Sequence, residues 1–368
     1  MKVLFISNDP TIFDATSAAR ARMHTYAAAI GELHILSSVS GTAREEQEGS
    51  LFLHPVHTWK LFRIPMLASR AHALILGKGI GVVSAQDPFE HGLSALRAVR
   101  GTDAKLHIQV HTDFLSPWFI KRSLLNRWRC RIADSVLREA AGIRVVSGRI
   151  KTSLLTRYGS HIVEPTVIPV AVDASAPAPT PLPKHSFTFA LIAVGRLERE
   201  KRIEDILAAL ALVAKQYPMA GLFIVGEGRE RRRLEKMTRH LRLESRVIFL
   251  GERPDARALM GGAQAFIQAS AYEGYGRTLV EAALARVPII TTDVGIVGEV
   301  FQGSKDVLSA PVANPTALSL HIGRLIEDTR ERLELPRRAE ETARAYLAAV
   351  GDTPARIAED LAQTLQHS

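Results

Sequence analysis

Short apolar segments alternate with helical segments along most of this chain, and that alternation constrains the fold more than any other feature. Five short segments rich in Val, Ile and Leu predict strands in the first half: Val3–Ser7, Leu33–Ser37, Ile80–Ala85, Leu106–His111 and Ile143–Ser147. Helical segments are predicted between them, at Ala18–Ile30, Phe89–Arg100 and Ser123–Ala141. Strands that alternate with helices are typical of a parallel sheet covered by helices on both faces.

A proline-rich segment interrupts the alternation once. Asp173–Pro183 contains four prolines, which neither a helix nor a central strand tolerates. The alternation restarts at Thr188–Val194, and a chain of 368 residues has the length of two ordinary domains. We therefore expect an N-terminal domain over 1–175, a linker over 176–184 and a C-terminal domain over 185–351.

The segment 272–282 carries two carboxylates, Glu273 and Glu281, eight positions apart, with two glycines between them. It follows an apolar run, Ala265–Ala269, that predicts a strand. A strand followed by a glycine-bearing turn and a helix points backbone N–H groups and a helix N-terminus at a ligand, an arrangement that suits phosphate. On one side of that helix, the two acids could hold the hydroxyl-rich ends of a nucleoside diphosphate sugar.

This segment resembles the paired-glutamate signature of glycosyltransferase family 4, a family of retaining enzymes with the GT-B fold. Four further segments resemble elements of that family in the same order: Val194–Leu197 with Lys201 after it, Leu222–Gly228, Val247–Gly251 and Pro288–Gly295. The resemblance implies an α/β fold of two doubly wound, Rossmann-like domains facing each other across a cleft. It also implies that the final helix, within 352–368, returns to the N-terminal domain.

The activity that the resemblance implies is transfer of a sugar from a UDP- or GDP-linked donor to a glycan or lipid-linked acceptor, with retention, as in cell-envelope polysaccharide biosynthesis. The donor would bind the C-terminal domain and the acceptor the N-terminal domain. Two rival functions stay open: a nucleotide-sugar epimerase or hydrolase of the same fold, and a non-catalytic nucleotide-sugar-binding homologue. An NAD-dependent dehydrogenase is disfavoured, because Gly226-Glu227-Gly228 has Arg231 where a dinucleotide fingerprint needs its third glycine.

The resemblance implies catalytic roles for four residues. Arg196 and Lys201 would stabilise charge on the leaving diphosphate, Glu273 would contact hydroxyls of the donor sugar, and His111 would lie near the donor sugar and acceptor. Glu281 would bind the ribose diol, since one carboxylate accepts two hydroxyl protons. The other substrate-binding candidates are Gly195, Glu227, Gly251, Gly274, Tyr275, Gly276, Arg277, Thr278 and Leu279.

Two features of the N-terminal half remain open at this stage. Asp87 ends a predicted strand, where it could either face the ligand or cap the helix that follows. The family's glycine loop after the first strand is replaced by Ser7–Asp14, which contains no glycine. The contribution of this loop to phosphate binding is therefore in doubt.

The chain has a single cysteine, Cys130, no Asp-x-Asp motif and no cluster of His and Cys. It therefore predicts no metal site and no cofactor beyond the nucleotide-sugar substrate. The N-terminus shows no signal segment, and no apolar run approaches the ~20 residues that span a bilayer. The expected location is cytoplasmic, at most peripheral on the inner face of the membrane.

The net charge of +9 fits an anionic partner. Five cations and no acid fall within Lys121–Arg131, beside aromatic residues that include Trp118 and Trp128. This pattern favours either an interfacial helix on an anionic membrane or a domain helix with a solvated basic face. Nucleic acid is not expected, because no binding motif accompanies the charge.

Overall fold

The computed structural model describes residues 1–7, 9–39, 41–175 and 178–367. The chain forms two compact units: one is Met1–Val170 together with the segment that begins at Asp352, and the other is Ala171–Gly351. Ala176 and Pro177, the first residues of the predicted linker, lie outside the described residues.

The first unit contains an eight-stranded sheet in the order β3-β4-β2-β1-β5-β6-β7-β8. Its strands are β1 (Lys2–Ser7), β2 (Glu32–Val39), β3 (Glu46–Glu48), β4 (Leu51–His57), β5 (Val82–Ala85), β6 (Lys105–Val110), β7 (Gly142–Val145) and β8 (Thr166–Val167). The described ladders are parallel apart from the pairing of β3 with β4. The five predicted strands are present, with ends within two residues of the prediction.

The helices of the first unit that precede the second are α1 (Ala18–Ile30), α2 (Arg63–Lys78), α3 (Glu90–Val99), α4 (Pro117–Lys121), α5 (Leu124–Arg138) and α6 (Gly148–Tyr158). The basic segment is not one continuous helix, because α4 ends before Ser123. The Ser123 hydroxyl accepts a hydrogen bond from the Asn126 N–H (3.1 Å) and so caps the start of α5.

The second unit contains a six-stranded parallel sheet in the order β11-β10-β9-β12-β13-β14. Its strands are β9 (Phe189–Val194), β10 (Ala220–Val225), β11 (Val247–Gly251), β12 (Ala265–Ile267), β13 (Ile289–Thr292) and β14 (Leu308–Ala310). Its helices are α7 (Ile203–Val213), α8 (Arg231–His240), α9 (Ala256–Gly261), α10 (Arg277–Leu284), α11 (Pro315–Glu327) and α12 (Thr329–Val350). Buried aliphatic residues of β9, β10 and α7 dominate its core.

The described part of the proline-rich segment packs on the second unit. The Thr180 N–H donates to the Ala258 carbonyl (3.0 Å), and Arg257 binds the Asp173 carboxylate (3.2 Å). A Cβ on Gly262 would lie 2.3 Å from the Thr180 carbonyl oxygen, so glycine is needed there for this close contact.

The last helix, α13 (Thr353–Gln366), completes the first unit. Ile357 and Leu361 join the core beneath β1, β2 and β4. A Cβ on Gly142 would lie 2.1 Å from Thr364 Oγ1, so glycine at the start of β7 lets the helix approach the sheet. No helix in the part of the chain that the structure describes is long and apolar enough to cross a membrane.

In each sheet the order of the strands reverses once, and this reversal locates the candidate sites. The chain runs outward from β1 through β2 and then returns to β5, and it runs outward from β9 through β11 and then returns to β12. Open parallel sheets bind ligands at the carboxyl ends of the two strands that flank such a reversal. The relevant loops follow β1 and β5 in the first unit and β9 and β12 in the second.

Candidate functional site

Three interlocked loops form the floor of the site in the second unit. The Gly195 N–H donates to the Val225 carbonyl (3.0 Å), the Leu197 N–H to the Glu227 carbonyl (2.8 Å), and the Gly226 N–H to the Gly251 carbonyl (2.7 Å). A Cβ on Gly226 would lie 2.0 Å from the Gly195 carbonyl oxygen, and φ of Gly226 is 130°. The glycines therefore allow the loops after β9, β10 and β11 to pack against one another.

Contacts on both sides of Lys201 fix the position of its side chain beside these loops. The residue after it, Arg202, has φ of 47°, which is uncommon for a side chain of this size, and its guanidinium holds the Asp205 carboxylate at 2.6 and 2.9 Å. The ammonium of Lys201 lies 2.5 Å from Glu273 Oε1, and the Ser270 hydroxyl donates to the same oxygen at 2.7 Å. The two loops at the strand reversal thus bring together two of the predicted catalytic residues.

Arg196 differs from Lys201 in its exposure. Its side chain is 78% exposed, and its guanidinium lies 3.7 Å from the Glu200 carboxylate. Because solvent screens the exposed guanidinium, its attraction to Glu200 contributes little free energy, so an anionic ligand could recruit Arg196 at small cost.

The helix α10 begins directly after the glycine turn. Gly276, at φ of 95°, caps the helix without a side chain that could accept from the first-turn N–H groups. An uncapped helix N-terminus favours negative charge. Glu281 is buried on this helix, where its Oε1 accepts from Arg277 Nε at 2.8 Å, and Arg277 is half exposed.

Three of the predicted substrate-binding residues have side chains that contact other residues of the protein. The Leu279 side chain is fully buried, and its N–H donates to the Gly276 carbonyl (2.9 Å). The Thr278 hydroxyl donates to Gln268 Oε1 (2.7 Å). The Tyr275 ring is buried, and this burial, with Tyr346 beside it, raises the pKa of its phenol above the ordinary value. These contacts lie within the protein, and substrate binding by the three residues stays a prediction.

Glu227 follows β10, one strand away from the reversal, and Gly251 ends β11, two strands away from it. The Glu227 carboxylate is half exposed and accepts from Arg231 Nη1 at 2.7 Å. A Cβ on Gly251 would lie 3.1 Å from Glu227 Oε1, so the two residues are neighbours, as their shared prediction requires.

The first unit has a cavity of about 510 Å³ at its own strand reversal. Asp9 from the loop after β1, Asp87 from the loop after β5 and His111 from the loop after β6 line it. The Ser7 hydroxyl donates to Gln86 Oε1 (2.9 Å) and ties the first two loops together.

A hydrogen-bond chain sets the tautomer of His111. Its Nε2 lies 3.1 Å from Gln109 Oε1, and Gln109 Nε2 donates to Ser84 Oγ at 2.9 Å. Ser84 in turn contacts His107 Nδ1 (2.7 Å), whose Nε2 lies 2.9 Å from the Asp360 carboxylate on α13. Because a carbonyl oxygen only accepts, His111 Nε2 carries the hydrogen, and Nδ1 is left as an acceptor.

His111 is held neutral by its surroundings. Burial, the nearby Arg144 guanidinium and, more weakly, Arg22 lower the pKa of His111 to about 3, although the Asp87 carboxylate opposes them. We expect its imidazole signal in a proton NMR titration to stay unchanged from pH 8 to pH 5. A histidine with a depressed folded-state pKa contributes stability above pH ~6.5 that is lost as the pH falls towards the folded value.

His111→Gln assigns that signal and serves as the control in the same titration. A midpoint between pH 6 and 7 for the assigned signal would contradict the neutral, acceptor form of His111.

Asp87 caps the start of the helix that follows it and also lines the cavity. Its Oδ1 accepts from the Phe89 N–H (2.8 Å) at the start of α3, and its Oδ2 pairs with His91 Nδ1. Burial opposes its ionisation, but the His91 ring and these hydrogen bonds hold the pKa of Asp87 below its ordinary value. The same side chain also lines the cavity.

The residues of this cavity that were not predicted include Arg22, Arg63, His91 and Arg144. Two of them carry a recognisable signal. Arg144 is a charged residue inside the buried strand β7, and His91 stands four positions after Asp87 on a helix. Arg22 and Arg63 look like ordinary surface cations in the sequence.

Comparison with known proteins covers both units. The family model described as "Glycosyl transferases group 1" matches residues 182–346, and the one described as "Glycosyltransferase Family 4" matches residues 24–176. Glycogen synthase of Mycobacterium tuberculosis is 30% identical over 190 residues, which make up 51% of this chain and 46% of that protein. The chain thus spans about half the length of the curated relatives it matches.

Solved structures share the whole fold. Sucrose-phosphate synthase from Thermosynechococcus elongatus has a TM-score of 0.83 at 19% identity, covering 100% of both chains. HepE of Anabaena, solved in complex with UDP and glucose, has a TM-score of 0.77 at 20% identity, covering 98% of this chain and 99% of that one. These matches confirm the predicted class of two doubly wound α/β domains.

Proposed function

Since this chain belongs to glycosyltransferase family 4 and has the GT-B fold, we propose that it transfers a sugar from a UDP- or GDP-linked donor to a glycan or lipid-linked acceptor, with retention. The observation that carries the proposal is the pairing of Lys201 with Glu273 at the strand reversal of the second sheet, beside the exposed Arg196. Cations, a carboxylate and a helix N-terminus meet there, which matches a ligand with an anionic centre and hydroxyl-rich ends.

The proposed mechanism assigns each group one task. The diphosphate binds the N-terminus of α10 and the cations Arg196 and Lys201, while Glu273 accepts hydrogen bonds from the sugar and Glu281 from the ribose. The acceptor oxygen bonds to the anomeric carbon, the bond from that carbon to the diphosphate oxygen breaks, and the acceptor proton passes to an oxygen of the departing diphosphate. The bonding pair leaves with the nucleoside diphosphate, whose growing charge the two cations stabilise.

In the first unit, His111 Nδ1 accepts a hydrogen bond from the acceptor hydroxyl and orients it. No cofactor takes part in this scheme, and the two cations do the work that a metal ion does in other transferases. The crystal complex of HepE with UDP and glucose supports a UDP-linked donor for this chain.

A thermal-shift screen of nucleotide sugars tests the proposal, because a ligand that binds only the folded state raises the melting temperature in proportion to its affinity. UDP- and GDP-linked sugars should stabilise the chain, and NAD should not. Product analysis of the stabilising donor then separates the rival functions: an epimerase converts the donor without an acceptor, and a binding homologue leaves it intact.

We also propose that the first unit docks on an anionic membrane. On α5, the exposed Leu124, Leu125 and Trp128 lie beside the exposed Arg127 and Arg131. Arg129 of the same helix does not add to this basic surface, because its guanidinium binds the Glu90 carboxylate at 2.8 Å.

A second exposed apolar segment, not singled out by the sequence, supports this surface. Trp59, Leu61, Phe62 and Met66, at the start of α2, are 81%, 88%, 57% and 44% exposed. Arg63 of this segment lines the same cavity as Phe119 of α4, so both segments border its rim. Apolar side chains beside cations, around a cavity mouth, suit a lipid-linked acceptor.

Vesicle co-sedimentation tests the docking. The chain should bind phosphatidylglycerol vesicles at low salt and be released at 1 M salt, where the Debye length falls to ~3 Å from ~10 Å at 0.1 M. Arg127→Glu with Arg131→Glu should weaken binding by at least tenfold, since each basic residue near the surface contributes about 1 kcal/mol.

The matched control places the same charge change on α8, at the exposed Arg232 and Arg239 of the second unit. If both double variants lost the same amount of vesicle binding, the net charge of the protein would account for the binding, and not this surface. Wild type that stays in the supernatant at low salt would favour a soluble acceptor.

A further inference from the structure

The cavity of the first unit contains more positive charge than its own acids neutralise. Four arginines and three carboxylates line it. The carboxylates are satisfied within the unit: Glu90 binds Arg129, Asp87 binds His91, and Asp9 accepts from the Thr11 N–H and hydroxyl. Of the four arginines, Arg129 alone has a carboxylate partner among the described residues.

The other three arginines differ in burial, but none of them forms an ion pair with a described carboxylate. Arg144 is 2% exposed and donates only to neutral oxygens, those of Gln109 (2.9 Å), Ile168 (3.1 Å) and Pro169 (3.2 Å). Arg63 and Arg22 are partly buried, and within the described ranges neither side chain has a hydrogen-bond or ion-pair partner. Nε of Arg63 is buried and unsatisfied.

A second buried polar atom of this cavity also lacks a hydrogen-bond partner among the described residues. His91 is 4% exposed, and Asp87 holds its Nδ1, but its Nε2 makes no hydrogen bond within the described part of the chain. Buried polar atoms are nearly always hydrogen-bonded in folded proteins, so unpaired ones that line a cavity are available to a bound ligand. Unpaired buried charge is especially costly, which makes an anion the favoured occupant.

The volume of the cavity and its other lining residues limit the class of ligand further. About 510 Å³ is within the range of small-molecule sites. Tyr26, Met23 and Phe119 supply apolar surface beside the arginines. Guanidinium groups match phosphate oxygens in geometry as well as charge.

We propose that this cavity binds an acceptor that carries a phosphate group next to its reacting hydroxyl, with the phosphate held by Arg22, Arg63 and Arg144. This inference rests on the proposed transferase function and names its acceptor class. A phosphate monoester on a soluble sugar and the phosphodiester of a lipid headgroup share this chemistry. The neutral His111 on the same wall then accepts from the hydroxyl without competing for the anion.

Calorimetric titration with inorganic phosphate tests the site in the full chain. UDP and GDP are present at saturation, so that the phosphate-binding turn of the second unit is occupied. Wild type should bind phosphate, and Arg63→Gln and Arg22→Gln should each weaken the binding at least fivefold. Arg97→Gln is the matched control, because Arg97 is an exposed arginine of α3 outside the cavity.

Two further probes distinguish the sources of the phosphate. Glucose 6-phosphate that binds with the same dependence on Arg63 and Arg22 indicates a soluble acceptor. A lipid headgroup is indicated if binding to phosphatidylinositol vesicles depends on Arg63 and Arg22. The loss of binding must exceed the loss caused by changes at Arg127 and Arg131. The inference would be overturned if the Arg63 and Arg22 variants bound all three probes as tightly as Arg97→Gln does.

The donor half is tested separately, so the two failures can be told apart. UDP and GDP are titrated alone into wild type and into Lys201→Ala. Nucleotide binding that depends on Lys201, combined with phosphate binding that ignores Arg63 and Arg22, would reject the acceptor class and keep the transferase. Absence of nucleotide binding would instead reject the proposed function.

Discussion

Arg196→Ala and Lys201→Ala are each expected to lower turnover by about 10²–10³-fold at saturating donor, the usual effect of removing one preorganised contact to a developing charge. The melting temperature should fall by a few degrees at most. Arg196 is largely exposed, and removal of Lys201 leaves Glu273 with its hydrogen bond from Ser270. Steady-state kinetics and thermal unfolding of the same preparations make the comparison.

Arg199→Ala is the matched control for both variants. Arg199 belongs to the same turn as Lys201 but binds Glu230 (3.3 Å), away from Glu273. Near-normal turnover in both test variants would show that the leaving group is stabilised elsewhere. The same assay with EDTA should leave wild-type turnover intact, and strong inhibition would instead indicate a metal ion.

Glu281→Ala is expected to weaken donor binding by roughly 1.5–3 kcal/mol, the usual value of a hydrogen bond to a charged group, which is about 10- to 150-fold in Kd. Glu281 is buried on α10 with Arg277 as its partner, so the carboxylate is already oriented before the ribose arrives. Calorimetric titration of the nucleoside diphosphate gives the comparison with wild type.

The control for this variant is Glu341→Ala, which removes a carboxylate that also pairs with an arginine four residues before it on a helix, Arg337 at 2.9 Å. That change should leave donor affinity as it is. If Glu281→Ala binds the nucleotide as tightly as wild type, the ribose assignment is wrong.

The helices and strands that the sequence predicted well are those with strong periodicity and clear caps. The bounds of α1, Ala18–Ile30, agree with the prediction, because Ser17 caps its start and Gly31 follows its end. The elements that the sequence missed include β4 and α2, between residues 38 and 79. Pro55 lies within β4, where a proline argues against a strand. Pro65 lies in the first turn of α2, where a proline is tolerated, although in a sequence it suggests that a helix ends.

The candidate site was predictable where function depends on contiguous residues. The turn and helix around Glu273 and Glu281 form one segment, and the strand–glycine–cation element of Arg196 and Lys201 forms another. The cavity of the first unit is assembled from loops and helices far apart in the chain. Asp360 of α13 supports its His111 indirectly, through a hydrogen-bond chain that starts at His107. The unpaired arginines of the cavity are visible only once the neighbours that could neutralise them are known.

Burial distinguishes side chains from backbone within the predicted segment. The side chains of Leu279 and Tyr275 are buried in the core, so any contact of these two residues with a ligand would come from their backbone. A motif defines a stretch of chain, whereas burial decides which of its atoms can reach a ligand.

The central claim is that a nucleotide sugar binds the turn and helix start that follow β12, and hydrogen-exchange mass spectrometry tests it most directly. The first-turn N–H groups of α10 have no side-chain cap, so a bound diphosphate should protect them. With UDP-glucose or the GDP-linked sugar that stabilises the chain best, we expect slower exchange in peptides covering 194–203 and 272–284. Unchanged exchange in both peptides under saturating donor, or protection confined to the first unit, would contradict the account.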